Sequence, residues 1–151
     1  MTDTIKVAVI GAGMMGKNHL KTYKGLNGVE LVGVYDIFPE ACKAAAETFG
    51  IKAFSSLEEV AENVDAVSVV TTSVTHAEVG EFFLNRGIHC LMEKPLATTE
   101  AECQRLISAA KNNNVTLLVG HIEQFNPAVE QMHKILSDTS KICSLTAQRM
   151  S

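Results

Sequence analysis

Two hydrophobic rhythms alternate along this chain. Ile5 to Ile10 is an apolar run broken only by Lys6, the pattern of a strand buried in a sheet. Lys17 to Leu26 is helix-compatible, and Val29 to Tyr35 reads as a second strand. Phe38-Pro39-Glu40 opens a helix with proline near its first turn, and Gly50 ends it, with Ala41, Ala45, Thr48 and Phe49 on one face. A short strand is expected over 51–54. Ser55-x-x-Glu58 and Ser56-x-x-Glu59 then offer overlapping capping boxes for a short helix. Ala66 to Val70 is a near-continuous apolar strand. Thr75-x-x-Glu78 predicts a capped helix that turns Val79, Phe82 and Phe83 inward and stops at Gly87. Ile88 to Met92 is the next strand. Thr99-x-x-Glu102 caps a helix whose inward stripe is Cys103, Leu106, Ile107 and Ala110, broken by Asn112-Asn113-Asn114. Val115 to Val119 is the last strand of the alternation, and Asn126-Pro127 starts one more helix to about Leu136.

Strands and helices that alternate with short links make an α/β fold, here a Rossmann-type doubly wound parallel sheet with helices on both faces. The polar residues expected at the carboxyl ends of its strands are Asp36, Thr71, Thr72, Ser73, Glu93, Lys94 and His121. Lys141 to Ser151 reads as a further strand that has no obvious sheet to join. The expected organisation is a Rossmann-type domain over 1–140 and the start of a second, sheet-containing domain over 141–151, the rest of which is missing. The alternative is that this strand pairs with the sheet edge or with a second copy of the chain in a homo-oligomer, because exposed strand edges are usually covered.

Within that alternation one turn carries chemistry. Gly11-Ala12-Gly13-Met14-Met15-Gly16 follows the first strand and opens the first helix. Gly11 allows the tight turn, Gly13 lets the backbone approach phosphate, and Gly16 lets helix and strand lie close. Met14 and Met15 contribute backbone and packing to that turn, whose amides face the cofactor. The unpaired N–H groups at the helix start hold negative charge. Asp36 closes the second strand 20 residues after Gly16, where a carboxylate meets the adenosine ribose. It would repel a 2′-phosphate, and Ile37 and Phe38 follow it with no arginine nearby, so NAD is expected over NADP. Ile37 is taken as a wall of the same site.

Composition narrows the partners. A net charge of −4 over 151 residues offers no basic field for nucleic acid or an anionic membrane. Its apolar runs are too short to span a bilayer, and the opening residues lead directly into the first strand with no room for a signal peptide. Cys42, Cys90, Cys103 and Cys143 form no C-x-x-C pair and lie in apolar or helical runs, so no metal site and a cytoplasmic location with reduced thiols are expected.

Four stretches together resemble the Gfo/Idh/MocA family (glucose-fructose oxidoreductase / inositol dehydrogenase). They are Gly11 through His19, Thr71-Thr72-Ser73-Val74-Thr75-His76, Glu93-Lys94-Pro95, and Gly120-His121-Ile122-Glu123-Gln124-Phe125-Asn126-Pro127. The resemblance covers essentially the whole chain and is strongest to members that oxidise nucleotide sugars of the UDP-N-acetylglucosamine type. It implies that Lys94 is the catalytic lysine and also borders the cofactor, and that Glu93 contacts the nicotinamide ribose. It implies that Thr71, Thr72 and His76 line the cofactor cleft, and that Pro95 follows a bond that is often cis. It also implies a second α+β domain that supplies the substrate cradle and a catalytic histidine. Gln124 departs from the family's usual arginine.

A lysine suits the implied chemistry, because hydride loss from a carbinol leaves an alcohol proton to remove, and burial lowers the pKa of a lysine. His19 is expected to serve packing more than function, and His121 could be a hinge or a substrate ligand. The expected function is the NAD-binding half of an oxidoreductase acting on a sugar, nucleotide-sugar or cyclitol carbinol, incomplete as an enzyme alone. The competing readings are a stand-alone NAD-binding or regulatory module and the cofactor half of another two-domain dehydrogenase.

Overall fold

The computed structural model describes residues 4–136 together with Ser144, Thr146 and Gln148. The domain boundary placed before residue 141, and all of the strand expected over 141–151 except those three residues, lie outside the described residues. Two compact units divide after Gly120.

The first unit contains β1 (Ile5–Ile10), α1 (Met14–Lys24), β2 (Val29–Tyr35), α2 (Pro39–Phe49), β3 (Lys52–Ala53), α3 (Leu57–Ala61), β4 (Ala66–Val69), α4 (His76–Leu84), β5 (His89–Met92), α5 (Glu100–Asn112) and β6 (Leu117–Val119). The sheet order is β3-β2-β1-β4-β5-β6, and every neighbouring pair is parallel. Chain order runs outward from β1 in one direction and from β4 in the other. The crevice of such a sheet opens at the carboxyl ends of the strands, where that order reverses.

Strand alternation sorts the core into two layers. Ala8, Ile10, Val67, Val69, Cys90 and Met92 pack with Phe83, Leu84, Leu106, Ala109 and Ala110 of α4 and α5. Val9 and Val34 pack with Leu20, Cys42, Ala45 and Ala46 of α1 and α2. Phe83 and Leu20 are wholly buried, and cutting either to alanine would remove about 2–5 kcal/mol. The inward stripe of α2 differs from the sequence reading. Cys42 and Ala46 join Ala45, while Thr48 is exposed and its hydroxyl donates to the Ala44 carbonyl at 2.7 Å.

Helix ends follow local chemistry with three corrections. The first helix begins at Met14 rather than Lys17, because the glycine turn itself supplies its first turn. Thr75 does not form the expected cap. Residues Ser73–Thr75 wind as a 3-10 turn into α4, and the Thr75 hydroxyl lies 2.9 Å from both Thr71 Oγ1 and the Thr72 carbonyl. At α3 the cap is Ser56, whose Oγ accepts from the Glu59 N–H at 3.1 Å, while the Glu59 carboxylate takes the Ser55 N–H and hydroxyl. Thr99 and Glu102 do close a complete box on α5.

The second unit, described by itself, holds a 3-10 turn over Ile122–Phe125 and the helix α6 (Pro127–Ile135). Asn126 caps α6, its Oδ1 accepting from the Ala128 N–H at 3.0 Å. Ile122, Phe125 and Ile135 are exposed.

Candidate functional site

At the turn after β1, Gly11 takes φ +109°, and a Cβ there would stand 2.5 Å from the Val70 carbonyl oxygen. A Cβ on Gly16 would stand 1.9 Å from the Gly11 carbonyl oxygen, so only glycine lets α1 start this close to β1. Gly13 faces open space instead. It is the N-cap of α1 and brings no side chain, and no acid stands in the first turn. The helix start therefore presents backbone N–H groups and a positive dipole end with no acceptor from its own first turn.

Asp36 closes β2 and turns toward this loop. Its Oδ2 accepts from the Ala12 N–H at 2.6 Å and its Oδ1 from the Phe38 N–H at 2.9 Å. An ionised carboxylate has about four acceptor positions, so two bonds to the backbone hold it in place and leave room for ribose hydroxyls. Met14 (81% exposed), Ile37 (74%) and Phe38 offer apolar surface at the ends of β1 and β2, and Met15 is also exposed.

Past β4, Thr72 is exposed and Thr71 half-buried. His76 is 1% exposed. Its Nδ1 lies 2.8 Å from the Pro95 carbonyl oxygen and its Nε2 3.1 Å from that of Thr71. The ring thus ties the loop after β4 to the loop after β5 from behind. His76, expected to line the cleft, is buried with both ring nitrogens facing backbone carbonyls.

Beyond β5 come Glu93, Lys94 and a cis Lys94–Pro95 bond. Lys94 is exposed, so the burial that would tune a catalytic lysine is not present among the described residues. Glu93 is 7% exposed, and its two oxygens are divided. Oε1 stands 3.1 Å from His19 Nε2, and Oε2 accepts from the Lys94 N–H at 3.1 Å. His19 Nδ1 is in turn 3.1 Å from Ser68 Oγ, and the Tyr23 hydroxyl is 2.6 Å from the same oxygen. Burial pushes the Tyr23 phenol above its ordinary pKa, against the opposing hydrogen bond with Ser68, so it remains a neutral donor.

His19, expected mainly to pack, therefore also hydrogen-bonds the candidate residue Glu93. Ser68 and Tyr23 were missed by sequence reasoning, although a signal existed. A serine inside the apolar run Ala66 to Val70 must find a partner, and His19 and Tyr23 share a helix face at i and i+4.

His121 is exposed, and both it and Gln124 belong to the second unit. Cys42 and Cys90 are buried, and burial raises both thiols, Cys90 to about 12, which makes them poor nucleophiles. Among the described residues no cluster could hold a metal ion, and no helix is long and apolar enough to cross a membrane. A surface hollow of about 440 Å³ beside Lys111, Asn114 and Leu117 lies toward the amino ends of the strands, away from the crevice.

Residues 5–121 match the model of the GFO_IDH_MocA oxidoreductase family, NAD-binding Rossmann fold. The chain belongs to this family. It is 34% identical over 130 residues to the UDP-N-acetylglucosamine 3-dehydrogenase of Acidithiobacillus ferrooxidans, spanning 86% of this chain and 41% of that one. A solved structure of that enzyme superposes with a TM-score of 0.83 over 87% of this chain and 41% of its own. GenD2 from gentamicin A biosynthesis, solved with NAD, is 26% identical with a TM-score of 0.87 over 94% of this chain and 41% of its own. KijD10, a 3-ketoreductase from Actinomadura kijaniata solved with NADP, is 27% identical with a TM-score of 0.82 over 89% of this chain and 44% of its own. Inositol 2-dehydrogenases are also among the curated relatives. The chain spans about 41% of the length of the family's UDP-N-acetylglucosamine 3-dehydrogenase.

Proposed function

We propose that this chain supplies the NAD-binding half of an oxidoreductase that moves a hydride between a sugar, nucleotide-sugar or cyclitol carbinol and a nicotinamide ring. The observation that carries this reading is the 2.6 Å bond from the Ala12 N–H to Asp36 Oδ2, which puts the acid and the glycine turn on one crevice. In it the amides that open α1 hold the pyrophosphate, Asp36 receives the adenosine ribose hydroxyls, and Met14, Met15 and Ile37 line the adenosine end. Thr71 and Thr72 line the middle, and Glu93 faces the nicotinamide ribose. When bound, the cofactor accepts the hydride; Lys94 takes the carbinol proton or steadies the negative charge that builds on its oxygen.

NAD is the preferred form, because the Asp36 carboxylate would stand against a 2′-phosphate and no arginine follows it. Cys42, Cys90 and Cys103 are free thiols, which suits a reducing compartment such as the cytoplasm. Alone it binds the cofactor without turning over an alcohol, a reading supported by the 41% of the UDP-N-acetylglucosamine 3-dehydrogenase that it spans. Titration of the chain with NAD and NADP, followed by assay against sugar and cyclitol alcohols, tests each part. Equal or tighter NADP binding overturns the Asp36 argument, and robust turnover overturns the half-enzyme reading in favour of a complete catalyst.

A further inference from the structure

His19, Tyr23, Ser68 and Glu93 form a continuous polar chain beneath the carboxyl ends of β4 and β5. Ser68 is wholly buried in an otherwise apolar strand, and no buried side-chain nitrogen or oxygen among the described residues lacks a partner. The Glu93 carboxylate gives the chain a direction, because facing a ring nitrogen it accepts. The Tyr23 phenol is held neutral by burial and can donate to Ser68 Oγ, 2.6 Å away. The Ser68 hydroxyl can then donate to His19 Nδ1 at 3.1 Å, which leaves the ring proton on Nε2, 3.1 Å from Glu93 Oε1. The other oxygen of Glu93 takes the Lys94 N–H. Gly120 closes the remaining side, since a Cβ there would stand 3.1 Å from Glu93 Oε1.

We propose that His19 is a positioning residue for Glu93, and that Ser68 and Tyr23 set its tautomer so that Nε2–H pins the carboxylate that meets the nicotinamide half of the cofactor. The placement follows from the strand order. Asp36 ends β2 and Glu93 ends β5, on opposite sides of the glycine turn. A dinucleotide whose adenosine rests on Asp36 therefore extends its other half toward Glu93. The proposal rests on the cofactor reading above. It adds that the helix which receives the pyrophosphate also fixes, one turn further on, the group that orients the reactive ring.

The test uses the intact chain in two measurements. In the ligand-free chain, the Lys94 amide resonance should move in His19→Leu as it does in Glu93→Gln, and stay near wild type in His19→Gln, whose amide can still donate. In calorimetric titrations, His19→Leu should bind NAD about tenfold more weakly while ADP-ribose, which lacks nicotinamide, changes by less than about twofold. His19→Gln should recover most of that loss. If His19→Leu does not fold, Ser68→Ala, which releases the tautomer but keeps the ring, takes its place in both measurements. An unmoved Lys94 amide overturns the link between His19 and Glu93, whatever the ligand does. Equal losses for NAD and ADP-ribose overturn it differently, showing that His19 only holds α1 to the sheet. A moved amide in a chain that binds neither ligand overturns the cofactor reading and, with it, the nicotinamide assignment.

Discussion

At the start of α5, Thr99 Oγ1 accepts from the Glu102 N–H at 3.2 Å, and the Glu102 carboxylate returns to the Thr98 and Thr99 N–H groups at 3.0 Å each. At the start of α1 stands Gly13, with no side-chain acceptor and no acid in the first turn. Both helices are long and pack against the same sheet, so the difference is one of purpose rather than stability. A threonine or aspartate at position 13 would add a few tenths of a kcal/mol over glycine. In the cofactor reading proposed above, the open end keeps its amides for an anion from outside, and Asp36 beside it selects the nucleotide. The sealed end needs no ligand and does nothing but hold its helix.

That contrast can be broken at several points. Gly16→Ala puts a Cβ 1.9 Å from a backbone oxygen in the open turn, and urea denaturation should show a loss of about 3 kcal/mol; an unchanged midpoint would mean that α1 does not start so close to β1. Gly13→Asp converts the open end into a sealed one. Its backbone (φ −67°, ψ −169°) suits an N-cap aspartate, so stability should hold or rise while NAD affinity falls by about 2 kcal/mol. Retained NAD affinity would show that the amides of α1 are not the phosphate site. Asp36→Ala should weaken NAD by about 1–2 kcal/mol and narrow its margin over NADP, as read by parallel titrations.

Thr99→Ala opens the sealed end and should lower stability by about 1 kcal/mol with NAD affinity unchanged. The smallest effect concerns acid. Hydrogen bonding, from the Thr98 hydroxyl first, holds the Glu102 carboxyl below its ordinary pKa near 4.5. Its contribution is therefore complete above that pH and fades as pH falls below it. A melting-temperature gap between wild type and Glu102→Gln at pH 7 should close in strong acid, and a gap that persists there would refute the charged-cap account.

Much of the geometry of the candidate site was legible because its signals are local. The glycine spacing, the end of the second strand at Asp36 and the Glu93-Lys94-Pro95 run each encode their geometry within a few residues. Thr75 misled because two cap partners for one hydroxyl, a helix amide and the Thr71–Thr72 loop, look alike in sequence. The exposure of Lys94 was not legible for a different reason: burial depends on what covers a side chain, and a motif says nothing of its surroundings. His19 and His76 were both motif histidines, yet one reaches Glu93 and the other disappears behind the cleft.

By itself, the sequence determined the succession of strands and helices and the turn that leaves α1 uncapped, since hydrophobic period, glycine sterics and proline placement act over a single turn or strand. Only the tertiary structure decided which polar groups meet. Ser68 lies 49 residues and Glu93 74 residues from His19, and they converge because the order β1-β4-β5 lays three distant strand ends side by side beneath one helix. Local forces are written in neighbouring residues, whereas a buried hydrogen bond is chosen by the packing that brings its two ends together.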